Sequence, residues 1–426
     1  METILVIIAL ILLAFFGSPL FSIIGVIALL AFHSAQIDSS AVIVELYRLA
    51  NTPTLIAIPF FTFAGYLVAE SNSPQRIVAL ARALFGWIPG GLAVVALVSC
   101  AIFTAFTGAS GVTIIALGGL LYPILLKEKY PEKFSLGLMT TSGSLGLLFP
   151  PSLPIILYAV VAKISVDKLF VAGFVPGMLL LIVLAIYSIR FGIKSHIPKT
   201  TFEIKNILVA VKNAAWEIPL PFVIIGGIYG GLFTVTEAAA ITAFYVLVVE
   251  VFIYRDLKLF KDIPKIMQES MVLVGAILII LGTALGLTNY LIDAEVPMKL
   301  FIVIEELITS KILFLILLNV FLLIVGMMMD IFSATIVVVP LIIPIALAYG
   351  VDPVHLGIIF LINLEIGYVT PPVGLNLFIA SFRFEKPITE VYTSTLPYIA
   401  IRLVVLVFVT YIPDLSLYLV KLLQIE

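Results

Sequence analysis

Charge is what this sequence has least of. Asp, Glu, Lys and Arg make up 11% of the 426 residues, 25 acidic against 23 basic, for a net charge of −2. Soluble globular chains carry about a quarter charged residues, and a nearly neutral chain offers no basic field for nucleic acid. There is one cysteine, Cys100, inside an apolar stretch. A disulfide framework within the chain is therefore excluded, and a thiolate metal site has too few ligands. The three histidines are scattered, and HExxH, GxSxG and GxxxxGK[ST] are all missing. The chain carries no ATP-hydrolysing engine, and an enzyme is not expected. The one enzymatic reading left is an intramembrane enzyme, which needs few polar residues.

What is abundant is apolar surface. The chain is 62% hydrophobic, with a mean hydropathy of +1.26. A soluble fold of this length could not bury so much, whereas a bilayer solvates it, and a run of about 20 apolar residues crosses the hydrocarbon core as a helix. Such runs lie at 4–32, 53–70, 91–126, 134–163, 169–190, 217–253, 271–292, 312–348, 356–382 and 392–413. The connections are too short for a soluble domain, so residues 1–426 read as a single all-α membrane domain. The first run has Glu2 where a cleavable signal would be basic and is interrupted by Gly17-Ser18-Pro19, which fits one bent span or two short ones. Residues 40–51 and 75–86 mix charge with apolar residues at helical spacing and are expected at the interface or bracing neighbours.

An internal repeat organises the rest. A shift of 221 residues superimposes Gly65 on Gly286, Pro123 on Pro344, Gly146 on Gly367 and Pro150-Pro151 on Pro371-Pro372. Taking 91–126 and 312–348 as re-entrant hairpins, 134–163 and 356–382 as broken spans, and 217–253 as two spans parted near Thr234–Glu237, five crossings separate the His33 loop from its mate, the Arg255 loop. Five is odd, so the repeats, about 14–190 and 235–413, are expected to be inverted. The same topology places sixteen Lys and Arg on one side and six on the other, with Arg402 left inside a span. The richer side is then cytoplasmic.

Inverted repeats with broken helices hold substrate and ion sites near the midplane of many secondary transporters, where unwound backbone must face protein, ion or water. Four interruptions qualify. TAFTGASGVT (104–113) offers small residues and hydroxyls that suit a hard cation, although small residues also serve helix packing. SGSLGLLFPPSLP (142–154) has adjacent prolines that free carbonyls one turn earlier, or simply kink the span. GMMMDIFSAT (326–335) places Asp330 in an apolar stretch, where a carboxylate reads as functional, salt-bridged or capping. NLEIGYVTPPVGLN (363–376) is the mate of the second interruption. Elsewhere, Glu237 reads mainly as an N-cap, Glu365 as titrating, paired or water-facing, Arg402 as snorkelling to the cytoplasm, and His33 and His355 as interfacial.

FTGASGVTIIALGG, LGLLFPPSLPIILYA, GGIYGGLFTVTEAAA and GMMMD…VDPVHLGIIFLINLEIGYVTPPVGLNLFIAS occur in this order. Nearly end to end, the chain resembles the large membrane subunit of tripartite ATP-independent periplasmic (TRAP) transporters, of the ion transporter superfamily. The resemblance implies an inverted-repeat elevator fold with two re-entrant helical hairpins and two discontinuous helices. It implies Na⁺-coupled import of a carboxylate-bearing solute across the bacterial or archaeal cytoplasmic membrane. It also implies two partners, a periplasmic solute-binding protein and a small four-helix membrane subunit, but no organic cofactor. Carried over by motif, one Na⁺ site falls at Thr107, Gly108, Ser110, Gly146 and Pro150. The other falls at Gly326, Asp330, Gly367 and Thr370, with solute near Ser110, Ser152, Thr370 and Asn376. Glu365 departs from the apolar residue expected of the family, which bears on ion count and proton involvement. The alternative is a stand-alone Na⁺/carboxylate or Na⁺/H⁺ transporter of the same superfamily. Which solute, how many Na⁺ and what oligomeric state are not encoded legibly.

Overall fold

The computed structural model describes residues 18–197, 202–308 and 310–423. Among them every regular element is helical. That follows from the composition, since in lipid each N–H and C=O needs a partner within its own segment. The question of one or two spans within 4–32 lies partly outside the described residues, which begin that run with α1 (Leu20–Ser34).

After α1 come the short amphipathic α2 (Ser40–Ala50), α3 (Ala57–Glu70) and α4 (Ser73–Phe85). Next are α5 (Gly91–Thr107) and α6 (Ser110–Lys127), separated by Gly108 in the left-handed region at φ +65°. Only glycine adopts that conformation without a side-chain penalty, and the turn falls inside the first predicted hairpin. The broken segment consists of α7 (Glu132–Ser142), a 3₁₀ turn at Leu145–Leu148 and α8 (Leu153–Ala162), bent by 46°.

The chain continues through α9 (Val166–Lys194), the amphipathic α10 (Ile204–Asn213), α11 (Pro219–Tyr229), α12 (Val235–Ile253), α13 (Asp262–Asp293) and α14 (Val296–Leu307). Next come α15 (Lys311–Met328) and α16 (Ile331–Ala348), then α17 (Pro353–Gly367) and α18 (Leu375–Phe384). Last are α19 (Ile388–Tyr411) and α20 (Asp414–Leu422). Eight helices among the described residues are long and apolar enough to cross a membrane.

Three local features differ from the sequence reading. Residues 293–311, read as a polar connection, contain the 12-residue α14. α11 has only 11 residues, a rise of about 16 Å against a hydrocarbon core of about 30 Å. α13 runs 32 residues without a break, absorbing the end of the polar Arg255–Lys265 connection into its first turn.

Packing sets α3 against α12, α1 and α2 against α13, α15 against α17 and α19 against α7. The arm helix α4 is fastened electrostatically. Arg76 forms ion pairs with Glu217, with Glu250 at 2.9 Å and with Asp256 at 2.6 Å, and lies 3.8 Å from the centre of the Tyr254 ring. Burial pushes the Asp256 pKa up, but hydrogen bonds from Asn72 and Arg76 outweigh it and hold the carboxyl below its ordinary value. Glu237 caps α12 in a reciprocal capping box with Thr234, as the sequence suggests.

Candidate functional site

The four interruptions meet in pairs. A Cβ added at Gly146 would lie 2.3 Å from the Ala101 carbonyl oxygen and 2.4 Å from the Ala105 nitrogen, so the first break rests directly on the backbone of α5. A Cβ at Gly367 would lie 2.4 Å from the Gly326 carbonyl carbon and 2.5 Å from its Cα. Ala105 and Gly326 are themselves 221 residues apart, as are Gly146 and Gly367. The same backbone-on-backbone seat is thus made twice at the sequence offset. Both Pro150-Pro151 and Pro371-Pro372 are cis.

The first cluster gathers the tip between α5 and α6 against the first break. Gly108 sits over the Leu153 side chain, and the buried Thr104 hydroxyl lies 2.6 Å from that of Thr113 and 2.9 Å from the Gly143 carbonyl oxygen, to which it donates. The Thr107 and Ser152 hydroxyls are fully buried and have no hydrogen-bond partner among the described residues. Buried oxygens without a donor are what a hard cation requires, so these two residues fit Na⁺.

The second cluster brings Gly326 to Gly367 and ties α18 back to the second tip through Gly374 N–H, which donates to the Met327 carbonyl oxygen at 2.9 Å. Tyr368 reaches the same tip, its hydroxyl accepting from Ile331 N–H. Asp330 caps α16, with Oδ1 accepting from the Phe332 and Ser333 N–H groups, each at 3.0 Å. One carboxylate oxygen is therefore committed to the helix, in line with the capping alternative read from sequence. The Thr370 hydroxyl donates to the Ile366 carbonyl oxygen at 2.7 Å.

One hydrogen bond joins the halves at the predicted solute position. Ser110 Oγ, from the first tip, donates to Asn376 Oδ1, from the second break, at 2.8 Å. Both residues are buried, and Asn376 Nδ2 has no partner among the described residues. The structure thus unites Ser110 with Asn376, while Thr370 turns its hydroxyl to its own helix.

The structure corrects the sequence reading at Arg402 and Glu365. Arg402 does not snorkel: it is fully buried, because its guanidinium finds oxygen partners inside the protein. Those partners are Ser144 Oγ at 3.0 Å, the Glu365 carbonyl oxygen at 3.4 Å and the Thr141 carbonyl oxygen. His355, at a segment end as expected, is buried against the protein, with its ring nitrogens 3.2 Å from Ser416 Oγ and 3.3 Å from the Thr410 carbonyl oxygen. Glu365 does not face water. It is fully buried, and neither carboxylate oxygen has a hydrogen-bond partner among the described residues. Tyr368 and the contacts of Arg402 were missed, since nothing in a lone polar residue of an apolar helix tells which way it faces.

Comparison with known proteins places this geometry. The family "Tripartite ATP-independent periplasmic transporter, DctM component" matches residues 4–415. The chain is 37% identical over 394 residues to the C4-dicarboxylate TRAP transporter large permease protein DctM of Pseudomonas aeruginosa, covering 92% of each. It is 36% identical over 370 residues to the isethionate TRAP transporter permease protein DctMQ of Oleidesulfovibrio alaskensis, covering 85% of this chain and 58% of that one. Its fold matches the crystal structure of the YdaH transporter of Alcanivorax borkumensis, with a TM-score of 0.65 and 13% identity over 87% of each chain.

Proposed function

We propose that this chain, which belongs to the TRAP transporter family as its DctM component, the large permease, imports a small carboxylate-bearing solute using a Na⁺ gradient. A component of this family is a transporter part and not an enzyme. The observation that carries the reading is the Ser110–Asn376 hydrogen bond, with orphaned polar groups in the same two interruptions and in the first break. The unpartnered Thr107 and Ser152 hydroxyls offer oxygens to a cation, and the unpartnered Asn376 amide offers a donor to a carboxylate. Bound Na⁺ would offset the charge of the anion, for which no cationic side chain hydrogen-bonds Ser110 or Asn376 among the described residues. Relatives named for C4-dicarboxylates and for isethionate support a small organic acid as cargo.

In this reading α5–α8 and α15–α18, read as two re-entrant hairpins and two discontinuous helices of inverted repeats, move as an elevator against the remaining spans. A periplasmic binding protein delivers the solute, and a small membrane subunit braces the scaffold in the cytoplasmic membrane. The longer relative, whose name joins M and Q, supports such a membrane partner. The test is uptake of labelled succinate and isethionate into proteoliposomes holding this chain, with and without both partners. Uptake should require an inward Na⁺ gradient and both partners. Robust uptake by the lone chain would favour the stand-alone exchanger, and uptake indifferent to Na⁺ would remove the coupling.

A further inference from the structure

We propose that Arg402 is a positioning residue that clamps the two helix breaks to one another, so that a change at either break is transmitted to the other. It belongs to neither break: it lies on α19, two turns before that helix ends at Tyr411. Its side chain is among the largest that are fully buried. A single nitrogen, Nη1, donates to Ser144 Oγ and to the Glu365 carbonyl oxygen, while Nη2 donates to the Thr141 carbonyl oxygen.

The pairing has a symmetry that distance alone does not reveal. Ser144 and Glu365 are 221 residues apart, the offset that relates the repeats, and each stands two residues before the glycine of its own break, Gly146 or Gly367. One guanidinium nitrogen therefore bridges equivalent positions in the two halves. The residue equivalent to Arg402 itself is Leu181, which cannot donate, so this device has no second copy.

The surroundings fit a fixed clamp. α19 meets α7 along a stripe at helical spacing, where a Cβ on Gly137 would lie 2.0 Å from the Ser394 carbonyl oxygen and Tyr398 donates to the Phe134 carbonyl oxygen at 2.9 Å. Arg402 continues that stripe one turn further. Its planar fork reaches several acceptors at fixed angles, which a lysine ammonium does not reproduce. The Glu365 carboxylate accepts no hydrogen bond among the described residues, and Arg402 holds that residue by its main-chain oxygen instead. The bland alternative is a pair that only balances charge, and it predicts that neutralising both members leaves the breaks where they were.

The clamp itself is tested without transport. Spin labels go on Phe149→Cys and Val373→Cys, one beside each break, in a Cys100→Ala background of the purified chain in nanodiscs; Phe149 is half-buried and Val373 is 43% exposed. The inter-label distance distribution should be narrow in the parent and should broaden in Arg402→Gln. It should stay broad in Arg402→Gln/Glu365→Gln, which removes the unpaired charge and so guards against misfolding, and narrow again in part in Arg402→Lys. A double variant as narrow as the parent overturns the proposal. The transmission clause rests on the Na⁺ reading given above. In the complete transporter, uptake plotted against Na⁺ should lose its steepness in the double variant, falling to a Hill slope of about one, with solute KM unchanged. A slope kept at the parental value overturns transmission. A parent indifferent to Na⁺ sinks the reading of function and leaves the label result to judge the clamp.

Discussion

The glycines at the breaks are where one methyl group decides most. Gly367→Ala places a Cβ 2.4 Å from the Gly326 carbonyl carbon, backbone that cannot rotate away. We expect destabilisation of about 1–3 kcal/mol by overpacking and loss of uptake. Gly275→Ala, with nothing within 4 Å of its added Cβ, should change neither, and thermal melts of the purified variants check both. Asp330 calls for a different substitution. Asparagine caps a helix about as well as aspartate, so Asp330→Asn should keep the melting temperature. If the carboxylate also binds Na⁺, the same variant should raise the Na⁺ concentration needed for half-maximal uptake at least several-fold. An unchanged requirement reduces Asp330 to its observed capping role. At this scale Gly108, Gly146 and Gly367 were legible because glycine and proline in an apolar run announce a backbone fault. Arg402 and His355 were not, since a polar residue on a long apolar helix reads the same whether its partner is water or a carbonyl two helices away.

Among the elements, α4 adds a cluster of ion pairs to the apolar contacts of Ile77, Val78 and Ala81. Arg76 brings three carboxylates to one guanidinium, and removing it leaves them facing each other partly out of water. Arg76→Ala should therefore destabilise the chain by about 3–5 kcal/mol, the range for breaking a buried pair from one side. Acid should do part of the same work. The Asp256 pKa is depressed in the folded state, so its contribution is present above the ordinary aspartate value of about 3.9 and is lost as pH falls through the lower folded value. The melting temperature of the parent should drop over that acid window, and the Asp256 share of the drop should shrink in Arg76→Ala, where the hydrogen bonds from Asn72 remain. α4 and α12 were readable from sequence through amphipathic spacing and the Thr234–Glu237 capping box. α14 was not, because Asp293 and Glu295 ahead of it, with Lys299 and Glu305 within it, disguise a helix as a polar connection.

For the whole molecule, the helical class and the membrane setting followed from composition, and the order of breaks followed from the repeat. The handedness of that repeat rests on a count of crossings in which the short α11 is the weakest link. It is checked by labelling Lys261→Cys and His33→Cys, one in each of the two mated loops on either side of the counted crossings. In right-side-out vesicles an impermeant maleimide should modify the second and spare the first; modification of both from one face would break the count. The paired glycine seats carry a last consequence. Where main chain lies on main chain there are no rotamers to exchange, so neither joint can give way by the gradual repacking that lets side-chain-lined contacts creep. With both joints built alike, the transport proposed above would displace the whole block, like cargo in a sealed compartment, so that a solute travels with its walls and not between them.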